Sequence, residues 1–181
     1  MKQKEVKKTI LDLLESIKAR KGIDKLINYL QTSDYFTAPA STKRHCSQQG
    51  GLAEHSLNVY YRLKEKCESM KIGIHTSSII LVALLHDLCK VNHYVRKKKH
   101  WEVNDILPLG HGPKSVIMAL ILGVGLTSFE IAAIRWHMGP RTPSTHMGWP
   151  DASDYKRAVK QYPLVTLLCT ADMEAGAVIE L

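Results

Sequence analysis

The stretch HTSSIILVALLHDLCK, beginning at His75, constrains the fold of this chain more than any other. Apolar side chains surround most of its girth, which predicts a helix over about residues 76–90 at the centre of a helical bundle. A helix so placed tolerates ionisable groups poorly. Yet this one ends in His86, Asp87 and Lys90, with Leu81, Leu85 and Leu88 directed inward beside them.

Helical spacing recurs on either side. Val6, Ile10, Leu13, Leu14 and Ile17 share one face of a first helix closing near Gly22, and a shorter one is expected over about 23–31. Their apolar faces suit either the core or a contact in a homo-oligomer. Residues 32–50 read as loop, from Pro39 and their Ser, Thr and Gln content. A third helix is expected from about Leu52 to Met70, with Leu52, Ser56, Val59 and Leu63 in register. Residues 91–110 are polar and irregular, with room for a short hairpin. Further helices are expected over about 112–122, 128–138 and 163–179, with Thr127 or Ser128 as a cap and Pro163 in a first turn. No repeat, low-complexity tract or linker interrupts the pattern. The expectation is one all-α domain over residues 1–181, large enough to bury roughly 70% of its unfolded surface.

Charge and cysteine content bound the function. No run of about 18 apolar residues exists, so no membrane span is expected. The start, MKQKEVKKTI, lacks the apolar core of a signal peptide. Cys46, Cys67, Cys89 and Cys169 form no CxxC pair and no dense disulfide framework, so a reducing cytoplasm is expected. The net charge of +8 gathers at Lys2–Lys8, Arg96–Lys99 and Lys156–Lys160. It fits a solvated surface or a polyanionic substrate such as a nucleotide or nucleic acid.

Nine histidines are the more unusual count. His55 lies on the third helix with Leu52 and Val59 at i−3 and i+4, which aims it at the core. Asp172 follows Leu168 by one turn in LLCTADMEA, amid almost no other charge. A hydrogen-bonded structural role explains any one histidine, but an unpaired buried carboxylate is costly. Three helices that each offer ionisable groups from apolar faces point to a divalent cation where they meet. Imidazole and carboxylate ligands suit Mn, Fe, Ni, Co or Zn, with Mg as a further member of the set. Helical neighbours are about 100° apart, so His86 and Asp87 share an ion only near their common edge. Lys90 then lies beside it, either holding a phosphate oxygen or serving as an ordinary charge at a helix end. His111, in PLGHGPKSV, and His137, in IAAIRWHMG, would contact substrate or support the ligands of one ion, or complete a second site bridged by Asp87. His75, His93, His100 and His146 sit in polar or loop contexts and are expected on the surface.

The order His55, His86-Asp87, Asp172 resembles the HD superfamily of metal-dependent phosphohydrolases. The blocks YFTAPASTKRHCSQQGGLAEHSLNVY, LLHDLCK, PLGHGPKSV, AIRWHMG and YPLVTLLCTADMEA cover most of residues 35–175, and look like those of a subfamily common in bacteria and their phages. The first is also similar to the HD domain of YhaM-type 3′→5′ exoribonucleases. The resemblance implies a helical bundle around a central metal, held by His55, His86, Asp87 and Asp172, with His111 and His137 matching the second-ion histidines of binuclear members. Pro113 stands where a carboxylate is expected, Cys169 where a histidine is frequent, and Met138 where some binuclear members have another histidine. These departures favour one ion over two.

The function expected is hydrolysis of phosphoester or phosphoanhydride bonds in nucleotides, or another phosphorylated small molecule, by a metal-activated water. Asp87 and Lys90 carry the chemistry, and Glu54 is either a general acid or base or a surface carboxylate. Lys43, Arg44 and His45, in the loop before the metal helix, and Lys114 are candidate phosphate contacts. A 3′→5′ exonuclease acting on single-stranded RNA or DNA is the alternative, favoured by the charge and the YhaM-like loop. A non-catalytic metal-stabilised binding module is the third.

Overall fold

The computed structural model describes residues 2–43, 46–98, 100–139 and 149–180. Among them are eight α-helices and one hairpin. The helices are α1 (Gln3–Glu15), α2 (Ile23–Thr32), α3 (Gly51–Ser69), α4 (Thr76–Leu85), α5 (His111–Ile121), α6 (Ser128–Trp136), α7 (Trp149–Gln161) and α8 (Pro163–Glu174). The hairpin pairs β1 (Tyr94–Lys97) with β2 (His100–Val103) in antiparallel register, Tyr94 opposite Val103. No single helix among the described residues is long and apolar enough to cross a membrane.

α4 lies where its sequence requires, with every residue from Ser77 to Leu85 buried. α3 packs against it and against α8, and α6 packs against α8 and α5. The apolar faces of α1 (Val6, Ile10, Leu14) and α2 (Ile23, Leu26, Leu30) join this same core, which answers whether they are core or contact surface. The α1–α2 turn comes close to the α5–α6 turn. A Cβ on Gly22 would lie 2.3 Å from the Gly123 carbonyl, and Gly22 also has φ +84, so only glycine fits.

The helix starts follow their local chemistry. Thr127 caps α6 in a reciprocal box, its hydroxyl accepting from Glu130 N–H while the Glu130 carboxylate accepts from Thr127 N–H at 2.8 Å. Pro163 opens α8. Three boundaries differ from expectation. α1 stops at Glu15 and continues to Gly22 only as turns, α4 stops at Leu85 instead of running to 90, and α8 stops at Glu174 before a π turn over Ala175–Ile179. α7 was not expected at all. Its sequence, WPDASDYKRAVKQ, is polar overall, but Tyr155, Ala158 and Val159 at i, i+3 and i+4 form a short face that packs into a small cluster with Trp136 and Val165.

Glu130 serves a second purpose. Its side chain is fully buried and takes two hydrogen bonds from Arg20, at 2.6 and 2.9 Å, while Arg20 also donates to the Gly125 carbonyl at 2.7 Å. Burial pushes the Glu130 carboxyl up, but Arg20 and the Thr127 N–H outweigh it and hold it below its usual value. Glu130→Ala strands the guanidinium and is expected to cost about 3 kcal/mol in urea unfolding. Because the folded carboxyl is depressed, the advantage of wild type over Glu130→Gln is complete above pH about 4.3 and shrinks as pH falls through the folded value. Melting temperatures of the two proteins from pH 7 to 3 measure it.

Candidate metal centre

The early end of α4 builds the site. His86 N–H still donates to Val82 O at 3.0 Å, but Asp87 leaves helical geometry (φ −107, ψ 22) and Leu88–Lys90 form a single 3-10 turn. The break turns two neighbouring side chains toward one point, with His86 Nε2 3.4 Å from Asp87 Oδ2. A helix continuing to residue 90 would hold them about 100° apart.

α3 and α8 bring the remaining groups. His55 Nε2 is 3.0 Å from Asp172 Oδ1, 3.3 Å from His86 Nε2 and 3.8 Å from Asp87 Oδ2. Asp172 Oδ1 is 3.8 Å from His86 Nε2. An ion about 2.1 Å from its ligands separates them by about 3.0 Å in octahedral and about 3.4 Å in tetrahedral geometry. The spacings therefore match a set gathered around one cation. His137, which ends α6, adds its Nε2 at 3.5 Å from Asp87 Oδ1. The three histidines are fully buried and Asp87 nearly so.

Hydrogen bonding fixes which atoms face inward. His86 Nδ1 donates to Ala83 O at 2.7 Å, and His137 Nδ1 donates to Ile134 O at 2.8 Å, so both leave Nε2 lone pairs toward the cluster. His55 Nδ1 is held by Glu180 at 3.0 Å, and Asn58 Nδ2 steadies that carboxylate at 2.9 Å. This is the carboxylate–histidine arrangement that orients a metal-binding imidazole. Asp87 Oδ1 and His137 Nε2 are buried with no hydrogen-bond partner among the described residues. Such orphaned acceptors are what a bound cation would satisfy. Lys90 Nζ, 2.6 Å from Asp87 Oδ2, provides the ammonium at the edge.

The charges follow. Burial pushes the Asp87 carboxyl up, but Lys90 and His86 outweigh it and hold it well below the usual range. Burial pulls His55 down, yet Asp172 and Glu180 outweigh it and push the imidazole up to about 9. That shift favours a protonated, cationic His55 at neutral pH.

A second group lies alongside, made of Asp87, Cys89 and His111, with Cys89 Sγ 3.3 Å from His111 Nδ1. Gly112 permits this arrangement. Its Cβ would lie 2.1 Å from the Arg135 carbonyl, so glycine lets the start of α5 rest on the end of α6.

The remaining expected residues divide. Lys114 is buried, and its ammonium lies 2.7 Å from Asp105 Oδ1. Glu54 turns to the preceding loop, where it accepts from Gln48 Nε2 at 3.0 Å. Lys43 is exposed, and Arg44, His45 and His146 lie outside the described residues. His100 is exposed, and His75 caps α4 by accepting from Ser77 N–H. His93, expected on the surface, is instead buried, beside Tyr94 and His111. Glu180 and Cys89 were not expected. Glu180 is a carboxylate after a run without charge, AGAVI, and Cys89 lies two residues beyond Asp87.

Comparison with known protein families, with curated proteins and with solved structures finds no match. The geometry therefore carries the assignment: buried His, Asp and Cys groups that could hold a metal ion.

Metal uptake is expected to displace the His55 proton. Manganese added to metal-free protein should release about one proton per ion, and its dissociation constant should fall about tenfold per pH unit from 7 toward 9. Calorimetry in two buffers of different ionisation enthalpy reads this, and a pH-independent affinity would contradict it.

Proposed function

We propose that this chain is a metal-dependent phosphohydrolase of the HD type, acting on nucleotides. One observation carries the reading. His55 Nε2 and His86 Nε2, from α3 and the end of α4, lie 3.0–3.8 Å from each other and from Asp87 Oδ2 and Asp172 Oδ1, with the Lys90 ammonium at their edge. These four residues would hold a divalent cation, and the orphaned Asp87 Oδ1 and His137 Nε2 fit the same group. A cation bound there acidifies a water near neutral pH and polarises a phosphoryl oxygen.

The chain's own groups supply the rest. Lys90 is buried, and Asp87 keeps it protonated against the pull of burial. Its ammonium holds a non-bridging phosphoryl oxygen and offsets charge that grows in the transition state. Glu180, through His55 Nδ1, keeps that ring turned toward the centre. The apolar surroundings of α4 exclude bulk water and strengthen each of these interactions.

A second reading, a 3′→5′ exonuclease on single strands, is favoured by the hairpin. Arg96 lies over the Trp101 ring at 5.7 Å, with Lys97 and Lys98 exposed nearby, a combination that suits stacked bases and phosphates. Incubation with manganese and a nucleotide panel, then with labelled single strands, separates the two by which is consumed. Asp87→Ala is expected to abolish turnover with the helical circular dichroism retained. Lys90→Met is expected to lower kcat about 100-fold with a smaller change in KM. Unchanged activity of the Asp87 variant on the best substrate refutes the site.

A further inference from the structure

Beside the metal cluster lies a second set of polar groups that the chemistry above does not use. Lys114 is only 7% exposed, on the first turn of α5, and its sole described partner is Asp105 Oδ1 at 2.7 Å. His93 is 8% exposed, and its Nδ1 is buried without a hydrogen-bond partner among the described residues, 3.8 Å from the same Asp105 oxygen. His111 and Lys90 are close enough to act electrostatically on His93, so this set is continuous with the edge of the metal cluster. Asp105 differs in kind. It sits in an exposed loop, residues 104–110, after β2, with its own side chain 31% exposed. An exposed loop has thus placed one carboxylate against a buried lysine and a buried, unsatisfied imidazole.

Ordering that loop costs entropy, and a surface carboxylate loses hydration by entering. A buried ammonium and a buried imidazole able to donate through Nδ1, with a loop carboxylate set against both, describe an anion site filled from within. We propose that Lys114 and His93 form a subsite for a second phosphoryl group, next to the one cleaved, and that Asp105 occupies it until substrate displaces the loop. The inference rests on the hydrolase reading for the word substrate, but the anion site itself does not need the metal. A nucleoside diphosphate and the neighbouring phosphate of a strand present the same chemistry.

An internal competitor weakens apparent affinity in proportion to the fraction of time it leaves the site open. A plug in place about 80–90% of the time therefore masks a five- to tenfold tighter site. Inorganic phosphate titrated calorimetrically into the full chain with chelator present tests this without metal. Asp105→Ala and Asp105→Asn should each bind phosphate five- to tenfold more tightly than wild type. Lys114→Met should bind at least tenfold more weakly, with circular dichroism confirming that each variant is folded. Equal or weaker phosphate binding by both Asp105 variants overturns the proposal, since the carboxylate then merely positions Lys114. So does the absence of phosphate binding to Asp105→Ala. With manganese, Lys114→Met should lower kcat/KM about 100-fold for a nucleoside diphosphate or for a dinucleotide, whichever supplies the second phosphate, and only slightly for a monophosphate. An equal loss on all three overturns the subsite. If phosphate binding behaves as expected and no nucleotide is hydrolysed, the hydrolase reading fails and the anion site stands.

Discussion

Acceptor atoms crowded into an apolar core are the constraint on which this structure depends. His55, His86, His137, Asp87 and Asp172 approach one another within the bundle, and only Lys90 among their described contacts brings a permanent positive charge. In water such a set would be solvated and separate. Here the packing of α3, α4, α6 and α8 leaves no such escape, so positive charge must be supplied, by a proton on His55 or by a metal ion. The fold and the site are therefore one problem, because the contacts that bury Leu81 and Leu85 also bring the ligands together.

Much of the helical framework was legible in the sequence because it rests on apolar periodicity. α2, α3, α5 and α6 fall close to their expected bounds, and Thr127 and Pro163 act as their chemistry suggests. His55, His86, Asp87 and Asp172 could be named because ionisable residues on apolar helix faces need compensation. What escaped depends on departures from regular geometry. Periodicity extends α4 through His86 and Asp87, whereas the chain breaks there, and that break lets two adjacent residues meet. The π turn after α8, which carries Glu180 back to His55, likewise leaves no mark in hydropathy.

His93 shows a different failure. Its neighbours, VNHYVRKKK, are polar enough to imply solvent, yet it is buried beside Tyr94 and His111 with its Nδ1 unsatisfied among the described residues. Asp105 and Lys114 are nine residues apart and share no helical face, so their pairing is set by a loop path that composition does not encode. The framework residues were thus visible one at a time, whereas the polar groups around the site become informative only as pairs.

His86 and His137 share one more property. Each stands at the C-cap of its helix, α4 or α6, with Nδ1 bonded to the carbonyl three residues before it. Two helix axes thus end at the cluster with their carboxyl termini, each the equivalent of about half a negative charge. The backbone itself adds to the field that draws a cation in and repels an anion. Any phosphate approaching the centre must cross that field, so the lysines at its margin become a condition of entry for the ligand as well as a means of holding it.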